Sequence, residues 1–214
     1  NAFLHIHAGD SKNFPEIDLE PQTEFTEIMW APPAEILEQW SRHEIKVAPP
    51  VVTLLMEIER TLARVDQSMH EAADDIAERL PGRRSILFAH GVEVVPVKTA
   101  TLPPADHTNA YLLGDPDGEF ILVDPAAHLR EGMEDLATAV ERHNGELVAL
   151  MFTHSHGDHL GDIGLLREAF DVPIWGSEYT SKTVKCDRIL NDGELLTLGK
   201  TEWEVLITPG HHPG

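Results

Sequence analysis

The chain has 214 residues, 42% of them hydrophobic, enough to bury a full core and to exclude disorder as its overall state. Its 37 acidic and 16 basic side chains leave a formal charge of -21, a field that repels polyphosphates and makes nucleic acid a disfavoured partner. The single cysteine, Cys186, excludes an intrachain disulfide and any cysteine-rich zinc knuckle, so a metal ion would have to be held by histidine and carboxylate.

No apolar run approaches the roughly 20 residues that span a bilayer, so the chain reads as soluble, with the cytoplasm as the default compartment. It opens with the strand-like "NAFLHIHA" and a polar loop. Pro32 and Pro33 then stand where a first helical turn begins, and Ile36, Leu37 and Trp40 share one face of that helix. A second helix starts at Pro49 and Pro50, with Val51, Leu54, Leu55, Ile58 and Leu62 as its apolar stripe. These elements form a segment over residues 1–65. "DQSMHEAADDIAERLPG" predicts a connecting helix within residues 66–83, with Met69, Ala73, Ile76 and Leu80 on one stripe, stopped by Pro81 and Gly82.

From residue 84 the pattern changes from helical to strand-like. "HGVEVVPVKT", "NAYLLG" and "FILVDP" read as strands, the last two joined by a turn at Asp115-Pro116-Asp117-Gly118. A helix, "LREGMEDLATAVERHNG", ended by Gly145, leads into "ELVALMFT", a run suited to a buried strand. After a histidine-rich loop come the helix "LGDIGLLREAF", the short strand "VPIWG" and a further strand in "EWEVLITPGHHPG". This order predicts a layered α/β domain over residues 84–214.

The loop "MFTHSHGDHLGD", Met151 to Asp162, holds three histidines and two aspartates. The chain has 13 histidines, so a polar surface loop that is merely histidine-rich is the plain alternative. Drawn at random from this composition, H-x-H-x-D-H arises in roughly a few chains in a thousand, and the strand before it and the helix after it supply the context that a ligand loop needs. His154 and His156, two apart, can point the same way from extended backbone towards one cation. Asp158 and His159 can turn towards a second near the helix start. Imidazole with carboxylate suits zinc, and equally iron or manganese.

"THSHGDHLGD" resembles the signature of the metallo-β-lactamase superfamily, and two further features agree with it. Asp124 ends "FILVDP" as that superfamily's upstream aspartate does, and "ITPGHHPG" resembles its T-P-G-H segment. The resemblance implies an αββα sandwich, here cut short on its C-terminal side, with metals at one edge. It implies that His154, His156 and His211 hold one ion, and that Asp158 and His159 begin a second site. Asp124 orients ligands from behind, Asp162 braces the loop, and His212, where the family usually has threonine, is a surface residue. Two zinc ions in the complete domain would acidify a shared water, with Asp158 orienting it and handling its proton. The superfamily's later bridging aspartate and last histidine are absent from these 214 residues, so the chain as written is expected to bind one ion tightly and to turn over weakly.

The N-terminal "WAPPAEILEQW" and the later paired prolines resemble the last third of a Nudix domain of the coenzyme A diphosphatase-like branch, which implies a small α/β Nudix-like segment. The glycine-led R-E-x-x-E-E catalytic box is missing from it. The function implied is metal-dependent hydrolysis of a thioester, coenzyme A-linked or other, in the manner of glyoxalase II. Alternatives on the same fold are an endoribonuclease or phosphodiesterase, a one-iron sulfur dioxygenase, or a catalytically silent fragment.

Overall fold

The computed structural model describes residues 29–64, 69–79 and 85–213. The strand expected at the start of the chain and the stop at Pro81 and Gly82 lie outside them. The chain divides into two units, residues 1–83 and 84–214.

In the first unit the described residues form three helices, α1 (Pro33–Ser41), α2 (Pro49–Arg64) and α3 (Met69–Arg79). Proline sits at the first positions of α1 and α2, where its missing N–H costs nothing and its fixed φ favours the first turn. The expected stripes hold at Leu54, Leu55, Ile58 and Leu62 of α2 and at Ile76 of α3, and each differs at one position. In α2 the buried apolar side chains are Val52, Leu55, Ile58 and Leu62, with Val51 only half-buried. In α3 it is Ala72, not Ala73, that joins Ile76 against Ile58 and Leu62. Two polar contacts join the helices beside this stripe: Arg64 Nη2 reaches Asp75 Oδ1 at 2.6 Å, and Thr61 Oγ1 lies 3.4 Å from Asp75 Oδ2.

The second unit is built on a seven-stranded sheet: β1 (Ile86–Ala89), β2 (Val92–Lys98), β3 (His107–Gly114), β4 (Glu119–Val123), β5 (Glu146–Phe152), β6 (Ile174–Gly176) and β7 (Arg188–Ile189), in that spatial order. The first four are an antiparallel meander, and β4 to β7 run parallel. Parallel neighbours need crossovers. α4 (Arg130–Arg142) links β4 to β5, while α5 (Gly157–Leu160) and α6 (Ile163–Phe170) link β5 to β6. A two-stranded hairpin, β8 (Leu195–Leu198) and β9 (Thr201–Glu204), forms a second sheet.

Alternation along β4 shows how the layers stack. Phe120 and Leu122 pack with Leu136 and Ala139 of α4, Leu160 of α5 and Leu166 of α6. Ile121 and Val123 point the other way and pack with Leu198 of β8 and Trp203 of β9. Such a strand, apolar on both faces, belongs at the centre of a layered α/β domain. The layered α/β architecture expected for this region is therefore present, with a helical layer, the main sheet and a second sheet in order. No described helix is long and apolar enough to cross a membrane.

The helix expected over "LGDIGLLREAF" is broken in two at Gly161. Its φ is +69°, and a Cβ there would stand 2.6 Å from both the N and the O of Ala127, so only glycine allows this approach. The approach lets Asp162 N donate to Ala127 O (2.8 Å) and Ala126 N donate to His159 O (3.1 Å). It clamps the turn after β4 to the end of α5.

Candidate metal centre

The site forms where β4 and β5 end side by side. Asp124 follows β4 and donates its N–H to Met151 O of β5 at 2.9 Å. The backbone then turns through two left-handed residues, Asp124 (φ 47°) and Ala126 (φ 56°), a conformation that costs energy for alanine and marks a turn over-determined by its surroundings. The Asp124 side chain is buried and fully engaged. Oδ1 accepts from Thr153 N (2.8 Å), and Oδ2 accepts from Thr153 Oγ1 (2.6 Å) and His159 Nδ1 (3.0 Å).

These contacts fix the proton positions of two imidazoles. A carboxylate only accepts, so His159 carries its proton on Nδ1 and Thr153 spends its single hydroxyl proton on Asp124. Thr153 Oγ1, 2.9 Å from His154 Nδ1, can then only accept, which places the proton of His154 on Nδ1. Its Nε2 is left as a bare lone pair, buried, with no hydrogen-bond partner among the described residues. Burial lowers the His154 pKa, and the nearby His159 lowers it further, so the ring favours its neutral form. His159 goes the other way: the hydrogen bond to Asp124 raises its pKa against the effect of burial.

Two donor groups meet at His154. His154, His156 and His211 bring their ligand atoms within 4.8 Å of one another, and so do Asp124, His154 and His159. In the first group His156 Nδ1 and His211 Nε2 are 2.9 Å apart, with the rings at 83° to each other. The set fits a divalent transition metal on its own chemistry: a buried, unprotonated imidazole nitrogen without a partner, faced by two further imidazoles, with carboxylate and hydroxyl holding the ligands from behind.

Of the residues that the sequence singled out, His154, His156 and His211 come together as one group, and Asp124 and His159 join His154 in another. Asp158 stands outside both groups: its Oδ2 accepts from Thr101 Oγ1 at 3.0 Å. Burial pushes its pKa up, but the Thr101 hydroxyl, its own backbone and the neighbouring His159 and His156 outweigh that and hold it below the ordinary aspartate value. Asp162 caps α6, its Oδ1 accepting from the N–H groups of Gly164 and Leu165, so it braces the helix start rather than a ligand. His212 stands in neither donor group; it is half-buried, with Nε2 3.1 Å from Ser155 Oγ, and lines the cleft beside His154.

The sequence reading missed the tethers. Thr153, Thr101, His128, whose Nε2 donates to Gly157 O at 2.8 Å, and Ser155 with His212 each fasten a different point of the ligand stretch. Thr153 could have been noticed as a hydroxyl immediately before the first histidine. Thr101 and His128 carry no local signal.

Residues 103–214 match the profile of the metallo-beta-lactamase superfamily. The chain belongs to that superfamily. A hydroxyacylglutathione hydrolase of Buchnera aphidicola subsp. Schizaphis graminum is 32% identical over 105 residues, covering 49% of this chain and 40% of that protein. One of Yersinia pestis is 32% identical over 117 residues, covering 53% and 43%, and an uncharacterized protein of Aquifex aeolicus is 31% identical over 136 residues, covering 55% and 62%. The chain thus spans about half the length of the curated relatives it matches. Among solved structures, MIM-2 metallo-beta-lactamase aligns with a TM-score of 0.49 at 18% identity, over 61% of this chain and 53% of that one. The mixed sheet with helices on one face is the metallo-β-lactamase fold.

Proposed function

We propose that this chain carries the metal-binding part of a hydrolase that cleaves an acyl thioester. The observation that carries the reading is the bare, buried Nε2 of His154, a residue common to both donor groups. His154, His156 and His211 are assigned to one divalent ion, with zinc the metal that three imidazoles and an open position suit best and iron or manganese as alternatives. Asp158 and His159, adjacent on α5, are assigned to the side of a second. Asp124 keeps an orienting role, because three of its lone pairs are already committed to Thr153 and His159. Bound there, a divalent ion supplies Lewis-acid chemistry, acidifying water and polarising a carbonyl.

The chain's own residues do the rest. Thr153 and Asp124 hold His154 and His159 in the tautomers that a ligand requires, and Asp158 is assigned to orient the attacking water and take its proton. The thioester class is supported by the relatives named hydroxyacylglutathione hydrolase and by the charge of -21, which slows approach of a polyanion while barely touching a small ligand. A coenzyme A thioester remains within that class. The Nudix-like reading of residues 1–65 rests on "WAPPAEILEQW" and the paired prolines alone.

The test is elemental analysis of the purified chain followed by parallel assays on a hydroxyacylglutathione thioester and on single-stranded RNA. Bound zinc or iron, with the thioester cleaved faster, supports the reading. RNA cleavage that is equal or faster, and lost in Asp158→Asn, would reverse it in favour of an endoribonuclease.

A further inference from the structure

We propose that Thr101 is a positioning residue for Asp158, a role that rests on the catalytic assignment of Asp158 made above. Asp158 lies in the four-residue helix α5, where a carboxylate is free to rotate unless something holds it. Thr101, 57 residues earlier, does so from the loop between β2 and β3: its Oγ1 donates to Asp158 Oδ2 at 3.0 Å in a part-buried setting. Pinning one oxygen fixes the plane of the carboxylate and therefore the direction of the other.

The loop is itself stiff. Thr99 N donates to Asp106 O across its base, Thr101 N to Thr99 O, and Ala105 N to Leu102 O, each at 3.1 Å. Thr99 is buried while Leu102, next to Thr101, is 84% exposed. The hydroxyl is thus presented by a backbone already closed on itself, so little ordering entropy opposes the contact. Hydroxyl, not bulk, is what the geometry uses. Valine has the shape of threonine without the donor, and serine keeps the donor without the methyl.

The experiment compares Thr101→Val, Thr101→Ser, Asp158→Asn and the Thr101→Val/Asp158→Asn double variant in the zinc-loaded chain. Hydrolysis of a hydroxyacylglutathione thioester is measured with thermal unfolding, and the visible absorption of bound Co(II) is recorded for each. Thr101→Val should lower kcat about 10-fold with KM and Tm unchanged, because a carboxylate set slightly askew loses alignment with the water it orients. Thr101→Ser should return to within about twofold of wild type. The double variant should be no slower than Asp158→Asn alone, since the two residues act as one unit.

Three results overturn the proposal: wild-type turnover in Thr101→Val, equal impairment in Thr101→Ser, or additive losses in the double variant. If Asp158→Asn changes neither turnover nor the Co(II) spectrum, the assignment of Asp158 falls and that of Thr101 with it. If Asp158→Asn alone has an effect, only Thr101 is excluded. Where turnover is too slow to follow, the Co(II) spectrum decides: it should change in Thr101→Val and be restored in Thr101→Ser, and an unchanged spectrum overturns the proposal.

Discussion

The two donor groups share His154 but are held together by different means. On one side Asp124 is 4% exposed and joined to Thr153 and His159 by three hydrogen bonds, behind a turn clamped by the Gly161 approach. On the other, exposed His211 comes from the irregular segment after β9 and meets His156 through one imidazole contact. The buried side is set by the folded protein before any ion arrives. The exposed side is assembled as well, but by fewer contacts, and a ligand held by few contacts is where affinity is most easily tuned.

The largest effect that would test this contrast is Asp124→Ala. It leaves the Thr153 N–H, the Thr153 hydroxyl and His159 Nδ1 without their acceptor, and should cost about 2–4 kcal/mol of stability in denaturant unfolding together with most of the metal binding. Next, His154→Ala removes the ligand common to both groups, so zinc content after dialysis should fall close to zero while unfolding of the metal-free chain shifts by far less than in Asp124→Ala. His211→Ala should weaken zinc binding by more than about 100-fold, a ligand counting for more than the supporting contacts whose loss costs 10–100-fold, and should leave metal-free stability unchanged. A drop in stability in His211→Ala comparable with that of Asp124→Ala would erase the distinction between the two sides.

The smallest effect is one of pH on the metal-free chain. The pKa of His159 is raised above 6.5 by its hydrogen bond to Asp124, so the stability that it contributes is fully present below that value and is lost as pH rises through the folded-state pKa. The Tm difference between wild type and His159→Gln should therefore be widest in mild acid and shrink on the alkaline side. His154, with its pKa lowered by burial, works in the opposite sense, its contribution being lost as pH falls through its folded value, so the comparison must be made between the two chains and not on wild type alone. A gap that widened with pH would mean that Asp124 does not hold a protonated His159.

Most of the site was legible in the sequence because its ligands are local. His154, His156, Asp158 and His159 fall within one strand-to-helix connection, and the apolar run of β5 with the helical pattern after it marked that connection in the sequence. What stayed hidden is non-local. Nothing near Thr101 announces a contact 57 residues away, and nothing near His128 announces the carbonyl of Gly157. The break at Gly161 was missed for the same reason: the apolar spacing continues through it, and the demand for glycine comes from the Ala127 backbone. In the first unit the stripes were read correctly at Leu54, Leu55, Ile58, Leu62 and Ile76, and only the choice between neighbours, Val52 for Val51 and Ala72 for Ala73, escaped the apolar spacing.

The double-sided burial of β4 bears on how long the site survives thermal motion. Phe120, Ile121, Leu122 and Val123 are each no more than 3% exposed, and the strand is paired on both edges, with β3 and β5. Segments of that kind open only with the whole domain, so their amides are the last to exchange with deuterated solvent. Asp124 continues directly from this strand and bonds to β5 through its own N–H. It therefore shares the lifetime of the slowest-exchanging part of the domain, and an ion lost from the exposed side would return to a half-site that had never come apart.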